Sequence, residues 1–324
     1  MWQRRKIVAS LLAMTIGQGI AVQTHAQMYP DRPVMLVTGS PPGGLWDVVT
    51  RLAAEQLQKK LGQPFIVITK AGAGGALAAQ YVIQSPADGY TIFCFTSGTF
   101  PLADLQSPPP YTVDDLTPIA MIAAGSGAVL AVRKGLPFSD FQGFIAYAKA
   151  NPNKLNYGSN GVGAPIHLSI VQLQDFANIE MTHIPYRGGG PAAQALLQGE
   201  IDVTLLDPVG FAQQIKEGLI IPVARAGEPP AKGSEHLPSL AAVFPGFDAT
   251  AWFALAAPAR TPAPVVEKLN KAMNEIISEG TITQQISAIG LTVKSMPQDT
   301  FQRYVIDDAQ RWRDLIRKHK ITAQ

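Results

Sequence analysis

From residue 34 onward the chain alternates between short aliphatic or β-branched runs and longer stretches whose apolar positions recur every three to four residues. Residues 34–38 read as a buried strand. Residues 46–61 carry Val48, Val49, Leu52, Ala53 and Leu57 at helical spacing, and Gly62 stands where a C-terminal cap belongs. A β-branched strand at 65–69, an alanine-rich helix at 75–84, a Pro-Ala-Asp-Gly turn and a strand at 90–95 follow. This β-α-β-α-β order predicts a parallel sheet, and ligands of such sheets sit beyond the C-terminal ends of the strands. After Pro108-Pro109-Pro110, the small apolar stretch 119–132 is expected to carry the chain into a second lobe. There the alternation resumes with helix 139–151, strand 154–157, helix 166–177, strand 181–184, helix 191–198 and strand 202–206. A turn-rich stretch at 227–246 interrupts it. Strand 252–257 and two amphipathic helices at 263–278 and 298–318 close the chain, the helices returning to the first lobe.

The first residues change the charge picture. Arg4-Arg5-Lys6, an apolar run at 7–16 too short to cross a bilayer, and Thr24-His25-Ala26 before Gln27 read as a cleavable secretory signal peptide spanning 1–26. Its loss takes three of the 26 Lys and Arg residues and leaves 23 against 24 Asp and Glu, close to neutral. No basic stripe marks a nucleic-acid partner. About 300 residues remain, enough for two cores. Cys94, the only cysteine, lies in an apolar strand pattern and reads as a buried thiol, so no internal disulfide forms.

Three apolar runs end in small, glycine-rich residues and then open into a helical pattern: Ser40-Pro41-Pro42-Gly43-Gly44-Leu45-Trp46-Asp47, Thr96-Ser97-Gly98-Thr99, and Tyr157-Gly158-Ser159-Asn160-Gly161-Val162-Gly163. Such turns leave backbone N–H groups unpaired at a helix start, where an anion is held without a cationic side chain. An ordinary strand-to-helix turn explains the segment 41–47 equally well. Asp47 reads either as a dipole-compensating residue or as part of a site, and Trp46 as core or as a flat wall for a ligand. Tyr186-Arg187-Gly188-Gly189-Gly190 gives up backbone entropy before a helix, for close approach of a ligand or for a hinge. Arg187 is a carboxylate partner or a solvated cation. Asp207 either caps the next helix or addresses the opposite lobe. Signatures of hydrolases, zinc proteases and P-loop enzymes are missing. His167, His183, His236 and His319 are scattered and read as structural or surface residues, with no metal or cofactor expected.

Read in order, Tyr29-Pro30-Asp31-Arg32-Pro33, the Pro-Pro-Gly-Gly turn with Asp47, Ala71-Gly72-Ala73-Gly74-Gly75, Ala87-Asp88-Gly89-Tyr90, Tyr157-Gly158-Ser159 with Gly161, Gly163 and His167, Pro185-Tyr186-Arg187-Gly188, and Ala257-Pro258-Ala259-Arg260-Thr261-Pro262 resemble the Bug/TctC family, the solute receptors of tripartite tricarboxylate transporters. The resemblance implies an α/β, two-lobe type II periplasmic-binding-protein fold with the ligand cleft between lobes. Lobe 1 is expected from 27–125 and 247–324, and lobe 2 from 126–246. It implies a monomeric periplasmic receptor, not an enzyme, for a small di- or tricarboxylate. Its partners would be the membrane subunits of a transporter, or a sensor protein. Ligand contacts are carried over to Gly43, Gly44, Leu45, Trp46 and Asp47, to Ser97, Gly98 and Thr99, to Ser159, Asn160, Gly161, Gly163 and Ala164, and to Tyr186, Arg187 and Gly188, with Asp207 added from its own position. Ala164 stands where the family usually has a hydroxyl, Thr69-Lys70-Ala71 replaces an Asn-Arg-Pro-like lead, and Trp46 is bulky for its turn. These departures tilt the pocket towards a less polar or aromatic carboxylate. A competing reading is a secreted hydrolase or lyase with Ser97 or Ser159 as nucleophile and His167 as base.

Overall fold

A computed structural model describes residues 29–323 apart from 126, 209, 228 and 229. The expected signal peptide lies outside the described residues. The first alternation is β1 (Val34–Thr38), α1 (Leu45–Leu61), β2 (Phe65–Thr69), α2 (Ala76–Ile83), β3 (Thr91–Thr96), α3 (Thr99–Asp104) and β4 (Leu116–Gly125). The second is β5 (Val129–Arg133), α4 (Phe141–Ala150), β6 (Asn156–Ser159), α5 (Pro165–Ala177), β7 (Thr182–Pro185), α6 (Gly189–Gln198), β8 (Val203–Leu206), α7 (Ala212–Lys216), β9 (Ile220–Arg225) and α8 (Leu240–Val243). β10 (Trp252–Pro258), α9 (Ala263–Ser278), α10 (Thr281–Ala288), β11 (Leu291–Thr292) and α11 (Gln298–Lys318) complete the chain.

Two sheets result, ordered β11-β4-β10-β3-β1-β2 and β7-β6-β8-β5-β9. Helix α1 buries Val49, Ala53 and Leu57 fully and ends where Gly62 adopts a left-handed φ of 74°. The parallel set expected from the β-α-β-α-β order does form, and strands added from the crossings make both sheets mixed. β1 runs parallel to β2 and β3, but β10 is antiparallel to both β3 and β4, and β5 is antiparallel to β8 and β9. The reason lies in the crossings: β5 and β10 each arrive from the other sheet and so enter from the opposite end.

The stretch 119–132 does pass from one sheet to the other, as the end of β4 and most of β5. β9, α7, α8, α10 and β11 were not expected. β9 was hidden by Pro222, which cannot donate to a ladder and is tolerated because β9 is an edge strand with a register shift at that point. The closing helices do return: Asn270 Nδ2 donates to Ile119 O at 2.8 Å, and the buried Trp252 Nε1 donates to Asp308 Oδ2 at 3.2 Å. α11 also reaches the second sheet's helices. Trp312 and Ile316 pack on Leu168 of α5, and Lys318 and His319 meet Asp175 at 2.7 and 2.9 Å.

Candidate ligand-binding site

Because β1 lies between β2 and β3 and parallels both, the chain leaves β1 and β3 at the same edge of the sheet. Gly44 caps α1 without a side-chain acceptor, and the first helical bond runs from Val48 N–H to Gly44 O at 2.9 Å. The N–H groups of Leu45, Trp46 and Asp47 therefore have no acceptor among the described residues. Leu45 is itself 46% exposed.

Asp47 and Trp46 serve the turn from within. Asp47 is 2% exposed; its Oδ2 accepts from Gly43 N–H at 3.0 Å and Arg51 Nε at 2.8 Å, and its Oδ1 from Arg51 Nη2 at 3.0 Å. The Arg51 guanidinium holds this carboxyl below the usual carboxylate range despite its burial, and the Gly43 N–H adds to the effect. The Gly43 amide is thus spent on Asp47. The Trp46 indole N–H donates to Cys94 O at 2.8 Å, and its ring packs over Gly39 and Gly75, where an added Cβ would lie 2.6 Å from it. Trp46 is half-buried, with its ring packed on the first lobe.

At the end of β3, Ser97 Oγ accepts from Trp252 N–H at 3.4 Å, Thr99 Oγ1 accepts from Thr96 N–H at 3.1 Å, and Gly98 N–H donates to Thr96 Oγ1 at 3.3 Å. Both hydroxyls hold the turn. Among the described residues, no histidine is bonded to Ser97.

In the second lobe β6 parallels β7 and β8, so the turns after 159, after 185 and at 207 share one edge. Ser159 is fully buried, and its Oγ lies 2.6 Å from His183 Nε2. His167 Nδ1 instead accepts from Gly163 N–H at 2.9 Å. The expected pairing of a serine with His167 as base is therefore corrected: His167 is occupied by the backbone, and Ser159 meets His183. Asn160 Oδ1 accepts from Ile166 N–H at 3.2 Å, and Ala164, 8% exposed, donates its N–H to Gly161 O at 3.3 Å. Asn160 and Val162 retain N–H groups with no acceptor among the described residues. Tyr186 N–H donates to Ser159 O at 3.0 Å and its hydroxyl to Glu200 at 3.4 Å. Gly188 caps α6 without a side chain, and Arg187 is exposed beside it.

The two edges meet. A Cβ on Gly98 would touch Pro165 at 3.5 Å, one on Gly163 would collide with Leu105, and one on Gly290 would lie 3.5 Å from Asp207 Oδ2. A narrow crevice between them is lined by Ser97, Gly98, Pro165, Leu168, Ser169 and Thr250 among others. Pro165, Thr250 and His183 were missed from sequence. The first two sit in segments without a chemical motif, and His183 reaches Ser159 only through the β6/β7 register. Among the described residues, no cluster of three or more His, Cys, Asp or Glu suits a metal, and no helix is long and apolar enough to cross a membrane.

Two α/β lobes joined by crossing strands, with turns converging at the junction, define a two-lobe solute-binding protein. Residues 49–321 match the family described as tripartite tricarboxylate transporter family receptor. Protein BugT of Bordetella pertussis is 33% identical over 307 residues, covering 93% of each chain. Among solved structures, a TctC solute binding protein from Polaromonas is 27% identical at a TM-score of 0.76, covering 90% of this chain and 99% of that one. R. palustris Rpa4515 with adipate is 30% identical at a TM-score of 0.73, covering 91% and 99%. MatC from Rhodopseudomonas palustris with bound malate is 29% identical at 0.70, covering 89% and 100%. The chain belongs to the tripartite tricarboxylate transporter receptor family, Bug/TctC, with the type II periplasmic-binding-protein fold. Members of this family are substrate-binding receptors rather than enzymes.

Proposed function

We propose that this receptor captures a small aliphatic di- or tricarboxylate at the lobe junction, closes on it, and delivers it to the membrane subunits of a tripartite tricarboxylate transporter. The observation that carries this reading is the contact between the β3–α3 turn and Pro165 at the start of α5, which sets the turn-bearing edges of the two lobes against each other. Uncapped N–H groups at Leu45 to Asp47, Asn160 and Val162 supply donors, and exposed Arg187 supplies a cation at the rim. The bodies that close are 27–125 with 247–324, and 126–246. The leader at 1–26 directs the chain to the periplasm, where it works as a monomer.

A hydrogen bond to a charged group contributes about 1.5–3 kcal/mol, and micromolar affinity needs about 8 kcal/mol. A handful of backbone donors is therefore sufficient after ordering costs, without a buried cation. Adipate in one relative and malate in another are both dicarboxylates, in keeping with this class. With the Trp46 indole N–H committed to Cys94 O, Ala164 and the Thr69-Lys70-Ala71 lead remain as the departures that argue for a less polar ligand. Calorimetric titration with adipate, malate, citrate and benzoate tests the proposal. Saturable binding of an aliphatic acid, with the acid recovered unchanged, is expected; a panel in which none binds would sink it.

A further inference from the structure

His167 and His183 stand directly behind the 159–164 turn. Their rings stack 3.9 Å apart at an interplanar angle of 6°, and Tyr157 lies against His183 at 4.9 Å. Parallel pairing of β6 with β7 puts Tyr157 opposite His183, which brings the imidazole to Ser159. Besides meeting His183 Nε2, Ser159 Oγ accepts the Gly161 N–H at 3.1 Å and lies 3.1 Å from Gly161 O. A hydroxyl has one proton to give. All three contacts are hydrogen bonds together only if that proton goes to Gly161 O and His183 Nε2 donates its own to Oγ. His167 works in the opposite sense. Its Nδ1 accepts from Gly163 N–H, so the ring's proton sits on Nε2. The pair thereby ties down the amides of Gly161 and Gly163, and the intervening amides of Asn160 and Val162 are left without a protein acceptor.

We propose that His167 and His183 are positioning residues for anion capture: by drawing every second amide of the turn inward, they aim the Asn160 and Val162 N–H groups at the lobe junction. This rests on the carboxylate-receptor reading above. Donors fixed in advance need no reorganisation when the anion arrives, which is what makes a concave set of backbone amides effective. The role demands an acceptor on His167. Burial, with the neighbouring imidazoles of His183 and His319, keeps that ring neutral down to about pH 3.

The test uses the full mature chain. His167→Phe keeps a flat ring but removes the acceptor, and His167→Asn restores an acceptor near the Nδ1 position. Should the phenylalanine variant not fold, His167→Gln, whose amide is displaced from Gly163, takes its place. Amide exchange of Gly163 is read by NMR without ligand, and affinity for adipate and malate by calorimetry. His167→Phe is expected to speed Gly163 exchange and weaken binding at least tenfold, and His167→Asn to recover both. Unchanged Gly163 exchange in His167→Phe overturns the proposal, as does an equal loss of affinity in His167→Asn. If the wild type binds neither acid, the dicarboxylate reading falls, and the exchange measurement still decides the positioning role by itself.

Discussion

Acidification gives the most demanding test of the stacked imidazoles. In an unfolded chain both rings protonate near pH 6.5. In the folded protein burial lowers His183 to about 4, and burial together with the His183 and His319 charges lowers His167 to about 3. The folded values lie below the unfolded ones, so between these limits the unfolded state binds more protons. Stability is therefore full above about pH 6.5 and falls as the pH drops towards the folded values. At pH 5 a fully buried ring contributes a loss of about 2 kcal/mol relative to pH 8. His183 is only half-buried, and solvent screening halves its share to about 1 kcal/mol. The pair together is worth about 3 kcal/mol, a large part of a typical stability of about 5–15 kcal/mol. Urea unfolding followed by tryptophan fluorescence at pH 8, 7, 6 and 5 measures it, with the double variant His167→Asn, His183→Asn as the reference. The reference subtracts other titrating groups, among them Asp104 and Asp308, whose carboxyls burial raises and which act with the opposite sign. The same pH slope in both proteins would refute the reasoning.

Four further outcomes are expected. Gly75→Ala forces a side chain into a backbone with φ of 100° and within 2.6 Å of Trp46, and calorimetric unfolding should show a loss of about 2–4 kcal/mol; an unchanged melting temperature would contradict the packing. Gly98→Asp puts its Cβ in ordinary van der Waals contact with Pro165 at 3.5 Å and sets a negative charge at the lobe junction. Adipate affinity should fall at least about tenfold, and equal binding would mean that the anion docks elsewhere. Asp47→Asn removes the charge that pairs with Arg51 and one of the two oxygens that serve Arg51 and the Gly43 amide, so binding should weaken and stability drop by about 1–2 kcal/mol, read by titration and urea unfolding. Arg187→Ala should weaken dicarboxylates more than monocarboxylates, compared as Kd ratios; identical ratios would assign Arg187 to solvent.

Much of the architecture was legible because local pattern and tertiary demand agree. β1 and β2 fall where the aliphatic runs are, and α1 ends at Gly62 because the cap geometry suits glycine. β9 was illegible because Pro222 is a strand breaker everywhere except at an edge, and only the assembled sheet makes β9 an edge. The direction of β10 was equally hidden, since strand polarity depends on which lobe the chain has just left. In the candidate site the glycine turns and their uncapped helix starts were readable. The employment of their side chains was not: Asp47 and Trp46 turned out to brace the first turn, and Ser97 and Thr99 the second.

The sequence by itself determined two alternating α/β units, the glycine turns at their strand ends, and a shortage of catalytic side chains. Each follows from periodicity, φ/ψ preference and residue chemistry within a few neighbours. Only the tertiary structure decided that those turns face each other across a junction, and that His183, 24 residues from Ser159 in the chain, stands 2.6 Å from it. Sheet register and lobe packing are sums over distant contacts, and no local stretch of sequence encodes them.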